Sequence, residues 1–194
     1  VVHAHDWQAG LISVYLKAVY LDDPTLALVP SVFTIHNLAY QGQFGPHTLG
    51  SLGLPESLAT EDALGWRGDV SYLKGGLLFS EIATTVSPTY AREIQTQEFG
   101  QGFDSIVRSR AGDLEGILNG IDCDEWNPMA DPYISAPFDE LDHRGKLACK
   151  RELLREYGLS SEPELPLIGI VSRLVEQKGF DLVIAALEPL LARR

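Results

Sequence analysis

Short apolar, β-branched runs alternate along this chain with stretches of helical period, and a polar cluster follows each run. Val1 and Val2 lead through His3-Ala4-His5-Asp6 into "WQAGLISVYLKAVYL". There Leu11, Tyr15 and Val19 fall on one face, as do Ile12 and Leu16, which predicts a helix. "SVFTIHN" (31–37) predicts a strand ending in polar residues. "SYLKGGLLFS" (71–80) predicts a helix whose Gly75 and Gly76 lower its propensity and imply close packing against a neighbour. In "IATTVSPTYAREI" (82–94) a strand gives way to Ser87-Pro88, suited to an N-cap and first helical turn. "LEGILNGID" (114–122) reads as a strand into a glycine turn, and "RGKLACKRELLREYG" (144–158) as an amphipathic helix stopped by Gly158. After the Pro/Ser/Glu connector "LSSEPELP", "LIGIVSRL" (167–174) predicts a fully apolar strand. A helix that Pro189 is placed to kink follows it. Residues 38–68, rich in Gly and Pro, predict an elaborated loop with one short helix around "EDALGW".

This alternation predicts an α/β fold: a mostly parallel, Rossmann-like sheet layered by helices on both faces. The connector near 159–166 is the expected boundary, because the strand after it begins a fresh βα unit. The expected domains are therefore 1–164 and 165–194. The clusters "HAHD", "IHN", "VSPT", "LNGID" and "VSRL" all fall at the carboxyl ends of predicted strands. In open α/β sheets the ligand crevice lies along that edge, so five clusters distant in sequence can converge.

Charge narrows the function. The 194 residues carry a formal net charge of -12 with no Lys/Arg-rich run, which argues against a nucleic-acid surface or an anionic membrane patch. A phosphate site must be built locally, from a few cations and backbone N–H groups. Cys123 and Cys149 lack CxxC spacing and read as free thiols. No apolar run of membrane-spanning length occurs. The first residue is Val rather than Met, and Val1-Val2 resemble the end of a buried strand, so the chain is expected to be cut from a longer one.

Among the clusters, His3, His5 and Asp6 invite a metal reading, since H-x-H on a strand puts both imidazoles on one face. The sequence departs from H-x-H-x-D-H, however, and hydrogen-bonded histidines supporting the turn are the better reading. Asp6, an acceptor at a strand-to-helix turn, suits either a helix cap or a ligand. His36 and Asn37 offer donor and acceptor together, as sugar hydroxyls or a carbonyl require. Asn119 and Gly120 fit turn chemistry on their own. Arg173 and Lys178, flanking a predicted helix start, suit a diphosphate, against the alternative of two solvated surface cations. There is no P-loop, G-x-S-x-G elbow, paired CxxC or GxGxxG. Ser87 precedes a proline and has no histidine partner close in sequence, which disfavours a serine hydrolase.

Taken together, "VVHAHDWQAG", "SVFTIHNLAYQG", "SYLKGGL", "TTVSPTYAREI", "GILNGID" and "PLIGIVSRLVEQKGFDL" resemble the bacterial glycogen synthase and plant starch synthase family, in family order over essentially the whole chain. The resemblance implies a fragment of a two-domain GT-B fold. Residues 1–164 would be the later part of the N-terminal, acceptor-side domain, and 165–194 the first βα unit of the nucleotide-sugar domain. It also implies transfer of glucose from ADP-glucose to the non-reducing end of an α-1,4-glucan, with retention, no cofactor and no required metal. By similarity His36, Arg173 and Lys178 would be catalytic, while Asp6, Trp7, Asn37, Tyr40 and Asn119 would bind substrate. Trp7 is equally suited to the core. The family's Lys-x-Gly-Gly-Leu loop and Glu-x-x-Gly-Leu segment are missing here, so the fragment alone is expected to be inactive. The alternative is a glucan-binding or inactive relative without transfer. Bacterial cytoplasm is the favoured location, with plastid stroma for a plant or algal source.

Overall fold

A computed structural model describes residues 1–159 and 164–192. Residues 160–163 of the expected connector lie outside the described residues. The chain divides into two compact units, Val1–Gly120 and Ile121–Arg194.

In the first unit four short strands form a parallel sheet: β1 (Val2–His5), β2 (Ser31–Ile35), β6 (Ile82–Thr85) and β7 (Leu114–Gly116), in the order β1-β2-β6-β7. Ala4 pairs with Phe33, Phe33 with Ala83 and Ala83 with Leu114. Between the strands run α1 (Asp6–Ala9), α2 (Leu11–Val14) with a π-helical turn over Tyr15–Val19, α3 (Thr48–Ser51), α4 (Tyr72–Phe79), α5 (Pro88–Glu93) and α6 (Asp104–Ser109). Ahead of α4 the chain folds a small antiparallel sheet from β3 (Gln43–Phe44), β4 (Gly65–Trp66) and β5 (Asp69–Ser71). The short helix expected around "EDALGW" is absent: residues 61–64 form a turn that delivers β4 to β5, and the helical pieces lie earlier, at Thr48–Ser51 and Glu56–Ala59.

The expectation of helices on both faces of the sheet is also corrected. Successive parallel strands are added in one direction, and right-handed crossovers then place every connecting helix on the same face. Burial follows that rule. Ala4, Phe33, Ile35 and Ala83 are sealed in a core with Leu73 and Leu77, whereas Ile82 on the other face is 44% exposed. That other face carries His3, His5, Thr34, His36 and Thr84, the alternate positions of the same strands.

Close packing explains the glycines. A Cβ on Gly76 would lie 2.3 Å from the Phe33 ring, and one on Gly75 would lie 2.6 Å from Leu64. One on Gly10 would lie 2.0 Å from the carbonyl oxygen of Tyr72, so Gly10 sets how the α1–α2 segment meets α4. That contact turns Ser13 and Val14 inward, three and four residues on. Leu16 is buried with them, and of the expected lines Leu11 and Tyr15 pack against the core half-buried, while Val19 and Ile12 are exposed. Arg110 closes the end of α4, donating to the carbonyls of Leu77, Ser80 and Glu81. Beneath the opposite edge of the sheet, Glu81 accepts from the Ser31 backbone N–H at 2.6 Å and pairs with Lys17.

The second unit contains α7 (Arg144–Glu156), ended as expected by Gly158 at a φ of 62°, and α8 (Phe180–Leu191), which runs through Pro189. The strand expected at 167–174 does not form. A parallel strand needs a neighbour for its backbone groups, and among its described residues this unit contains no strand. Ile168, Val171 and Leu174 are accordingly exposed. Both cysteines are free thiols. Among the described residues no helix is long and apolar enough to cross a membrane.

Candidate functional site

The carboxyl ends of β1, β2, β6 and β7 form one edge because the sheet is parallel, and four of the five polar clusters sit along it. At the end of β1 the backbone turns sharply: Asp6 has a φ of 53°, a left-handed conformation uncommon for any residue but glycine. Its side chain does not cap α1. Instead Asp6 Oδ1 crosses to the end of β2 and accepts from the backbone N–H of His36 at 2.8 Å and, more weakly, of Asn37 at 3.4 Å. Neither bond uses Oδ2.

This bridge brings His36 and Asn37 beside Asp6. Asn37 Oδ1 accepts from the Ala39 N–H at 3.1 Å and so starts the loop that follows. The loop is held again at Leu38, whose N–H donates to Tyr90 Oη at 3.0 Å. Tyr90 is fixed by α5, where Ser87 accepts from the Tyr90 N–H at 2.9 Å as the expected N-cap. The "VSPT" cluster therefore serves this edge as a brace for the loop after β2.

Three histidines line the open face of the sheet next to this bridge. His5 Nδ1 and His36 Nε2 are 3.0 Å apart, and the rings of His3 and His5 lie 4.2 Å apart between centroids. His3 Nε2 contacts Thr34 Oγ1 at 2.6 Å, and Thr34 in turn contacts Thr84 Oγ1 at 2.6 Å. Both threonines are buried, while His3 and His5 are exposed rather than enclosed in the fold. Burial, then His3 and His36, push the His5 imidazole below its ordinary value, with Asp6 opposing. Among the described residues, no group of three or more His, Cys, Asp or Glu side chains is placed to hold a metal ion. The H-x-H pair is spent on hydrogen bonds and ring contacts.

Trp7, in the first turn of α1, packs against Phe44 with ring centroids 5.7 Å apart and covers Gly42. It shapes the loop from beneath. Tyr40 projects from that loop and is 53% exposed. Gln41 anchors the loop: its side chain donates to the Gln101 carbonyl at 3.0 Å and accepts from Trp66 Nε1 at 3.1 Å. Asn119 follows β7, exposed.

Arg173 and Lys178 belong to the second unit. Both are exposed, and no strand precedes Arg173 among the described residues. Lys178 closes a 3-10 turn over Glu176–Lys178. Gly179, with a φ of 69°, then leads into the 12-residue α8, so the expected helix start is present.

Thr34, Thr84 and Tyr90 were not among the residues singled out from the sequence. A signal for Thr34 existed, though not for Thr84. "VHAH" and "FTIH" alternate apolar with polar residues at the strand period, which marks a half-exposed sheet face. Nothing in the sequence points to Tyr90.

Residues 1–109 match the family model described as the starch synthase catalytic domain. The chain is 50% identical over 193 residues to the glycogen synthase of Anaeromyxobacter sp. (strain Fw109-5), covering 100% of this chain and 41% of that protein. It is 52% identical over 184 residues to the glycogen synthase of Pseudothermotoga lettingae, covering 94% of this chain and 38% of that protein. Among solved structures, the catalytic domain of starch synthase IV from Arabidopsis thaliana, bound to ADP and acarbose, matches with a TM-score of 0.87. That match has 40% sequence identity and covers 98% of this chain and 39% of that one.

Proposed function

Because this chain belongs to the glycogen and starch synthase family, we propose that it supplies part of the sugar-transfer machinery of a retaining glucosyltransferase. The donor is ADP-glucose and the acceptor the non-reducing end of an α-1,4-glucan. The observation that carries this reading is the bridge from Asp6 to the His36 and Asn37 backbone at one sheet edge. It presents an imidazole, an amide and a carboxylate together, a donor–acceptor set suited to sugar hydroxyls.

In this reading His36 contacts the transferred glucosyl unit, and Asp6, Asn37 and Asn119 hold sugar hydroxyls. Trp7 keeps the neighbouring loop in shape, and Tyr40 offers a surface against a sugar ring. Arg173 and Lys178 take the ADP diphosphate, where negative charge grows as the glycosidic bond to phosphate breaks; fixed cations stabilise that charge as it develops. Residues 1–164 form the acceptor-side domain and 165–194 open the nucleotide-sugar domain. No metal or cofactor is required, and nucleic acid and membrane are not partners. The bacterial relatives favour a bacterial cytoplasm.

The chain spans 38–41% of the length of the curated relatives it matches, and the activity is accordingly proposed for a longer protein that contains it. The test is incorporation of radiolabelled glucose from ADP-glucose into glycogen. The longer protein should transfer and its His36→Ala variant should lose most of the rate, while the 194-residue chain alone should transfer little. Binding of glucan without transfer by the longer protein would instead establish the glucan-binding alternative.

A further inference from the structure

The row of polar side chains on the open face of the sheet is continuous. Thr84 on β6 meets Thr34 on β2, Thr34 meets His3 on β1, the His3 ring lies against His5, and His5 meets His36 just past the end of β2. One end of the row is buried between strands and the other is exposed at the edge where Asp6 and Asn37 stand. At 3.0 Å, the line between His5 Nδ1 and His36 Nε2 has room for one proton.

We propose that His5 and His36 form a proton-sharing pair in which His5 is a positioning residue, fixing the tautomer and ring setting of His36 and so the nitrogen that His36 turns toward substrate. The word substrate rests on the reading of His36 given above; the pair itself does not.

The chemistry of two neutral imidazoles enforces the arrangement. One ring must donate and the other accept, so the tautomer of His36 at Nε2 is the complement of that of His5 at Nδ1. A first added proton leaves one N–H between the rings and keeps the contact. A second would set two N–H groups against each other and break it. The groups facing the pair fit this behaviour. His3 on β1 opposes a charge on His5, the Asp6 carboxylate favours one, and Tyr90 on α5 is engaged with the Leu38 N–H. His3 is itself held by the Thr34 hydroxyl, which fixes the ring against which His5 rests.

Long-range proton–nitrogen spectra of the labelled 194-residue chain report the tautomer and charge of each ring across roughly pH 5 to 9, the range in which imidazoles titrate. The expected result is one dominant tautomer of His36 at the alkaline end. In His5→Phe, His36 should become a mixture of tautomers. His5→Asn, whose amide keeps a polar atom near the place of Nδ1, should restore one dominant tautomer. A mixture of His36 tautomers at the alkaline end in the unaltered chain overturns the proposal, whatever the folding of the variants. So does a His36 tautomer unchanged in a folded His5→Phe. Failure of the longer protein to transfer glucose would leave these spectra as they are, so the two readings fail separately.

Discussion

Asp6 accepts the backbone N–H of His36 at 2.8 Å from a residue whose own φ is 53°, so the left-handed turn after β1 and the end of β2 are held by one side chain. Asparagine retains an acceptor and tolerates that conformation, whereas alanine loses the bond and keeps the strain. Asp6→Ala should cost about 2–3 kcal/mol, and Asp6→Asn less than about 1 kcal/mol. Urea denaturation of both variants at one pH decides it; an alanine variant as stable as the asparagine one would contradict this role.

Gly76 and Phe33 form the tightest helix-to-strand contact beneath the site. Adding a methyl group at Gly76 drives it into a fully buried ring, and the expected loss of about 1–3 kcal/mol outweighs the gain in helix propensity of roughly 1 kcal/mol. Phe33→Leu vacates part of that space. A double-mutant cycle should therefore show Gly76→Ala to be less harmful in the Phe33→Leu background, and strict additivity would exclude the clash.

Glu81 is expected to contribute to acid stability. Burial opposes its ionisation, but the bonds from Lys17 and Ser31 prevail and bring its carboxyl down to about 2, below the ordinary 4.5. A folded value below the unfolded one means that the stabilisation is complete above about pH 4.5 and is lost as pH falls toward 2. Glu81→Gln should reduce stability at neutral pH and flatten the acid limb in that window. Equal slopes for the two proteins between pH 4.5 and 2.5, measured by urea midpoints, would refute the assignment.

Arg110 reaches three carbonyls at the end of α4 with one planar guanidinium, a geometry lysine cannot reproduce. Arg110→Lys should destabilise by about 1–2 kcal/mol. Because the bonds lie at the helix end, amide exchange should accelerate most at Leu77–Ser80, and a uniform acceleration across the first unit would point elsewhere.

For the longer protein, Arg173→Ala and Lys178→Ala should each lower kcat by roughly 10²-fold, the scale of losing one preorganised electrostatic contact. A rise in KM alone, with kcat intact, would remove these residues from the reacting end of the donor.

The sequence disclosed the parallel sheet, the Ser87 cap and the meaning of Gly75 and Gly76, because each follows from local periodicity or propensity. It also brought Asp6, His36 and Asn37 to the same edge, since parallel strands share a direction. What stayed hidden was tertiary. The inward face of α2 is set by Gly10 against Tyr72, a contact 62 positions away in sequence that no local pattern encodes. The run at 167–174 has the composition of a buried strand, yet composition supplies no neighbour, and pairing is what makes a strand. The open face was legible in principle: the alternation of His and Thr with apolar residues contradicts a sheet buried on both sides.

The sequential strand order has a consequence for how the first unit is made. In the parallel sheet each strand lies beside the strand of that sheet that precedes it in sequence, and each connecting helix settles on the face already begun. Among these four strands none threads between two existing ones. Among β1, β2, β6 and β7 assembly can therefore proceed strand by strand during synthesis, each new strand joining the edge left by the one before. The polar edge forms in the same order, so the Asp6–His36 bridge can close long before residues 173 and 178 are translated.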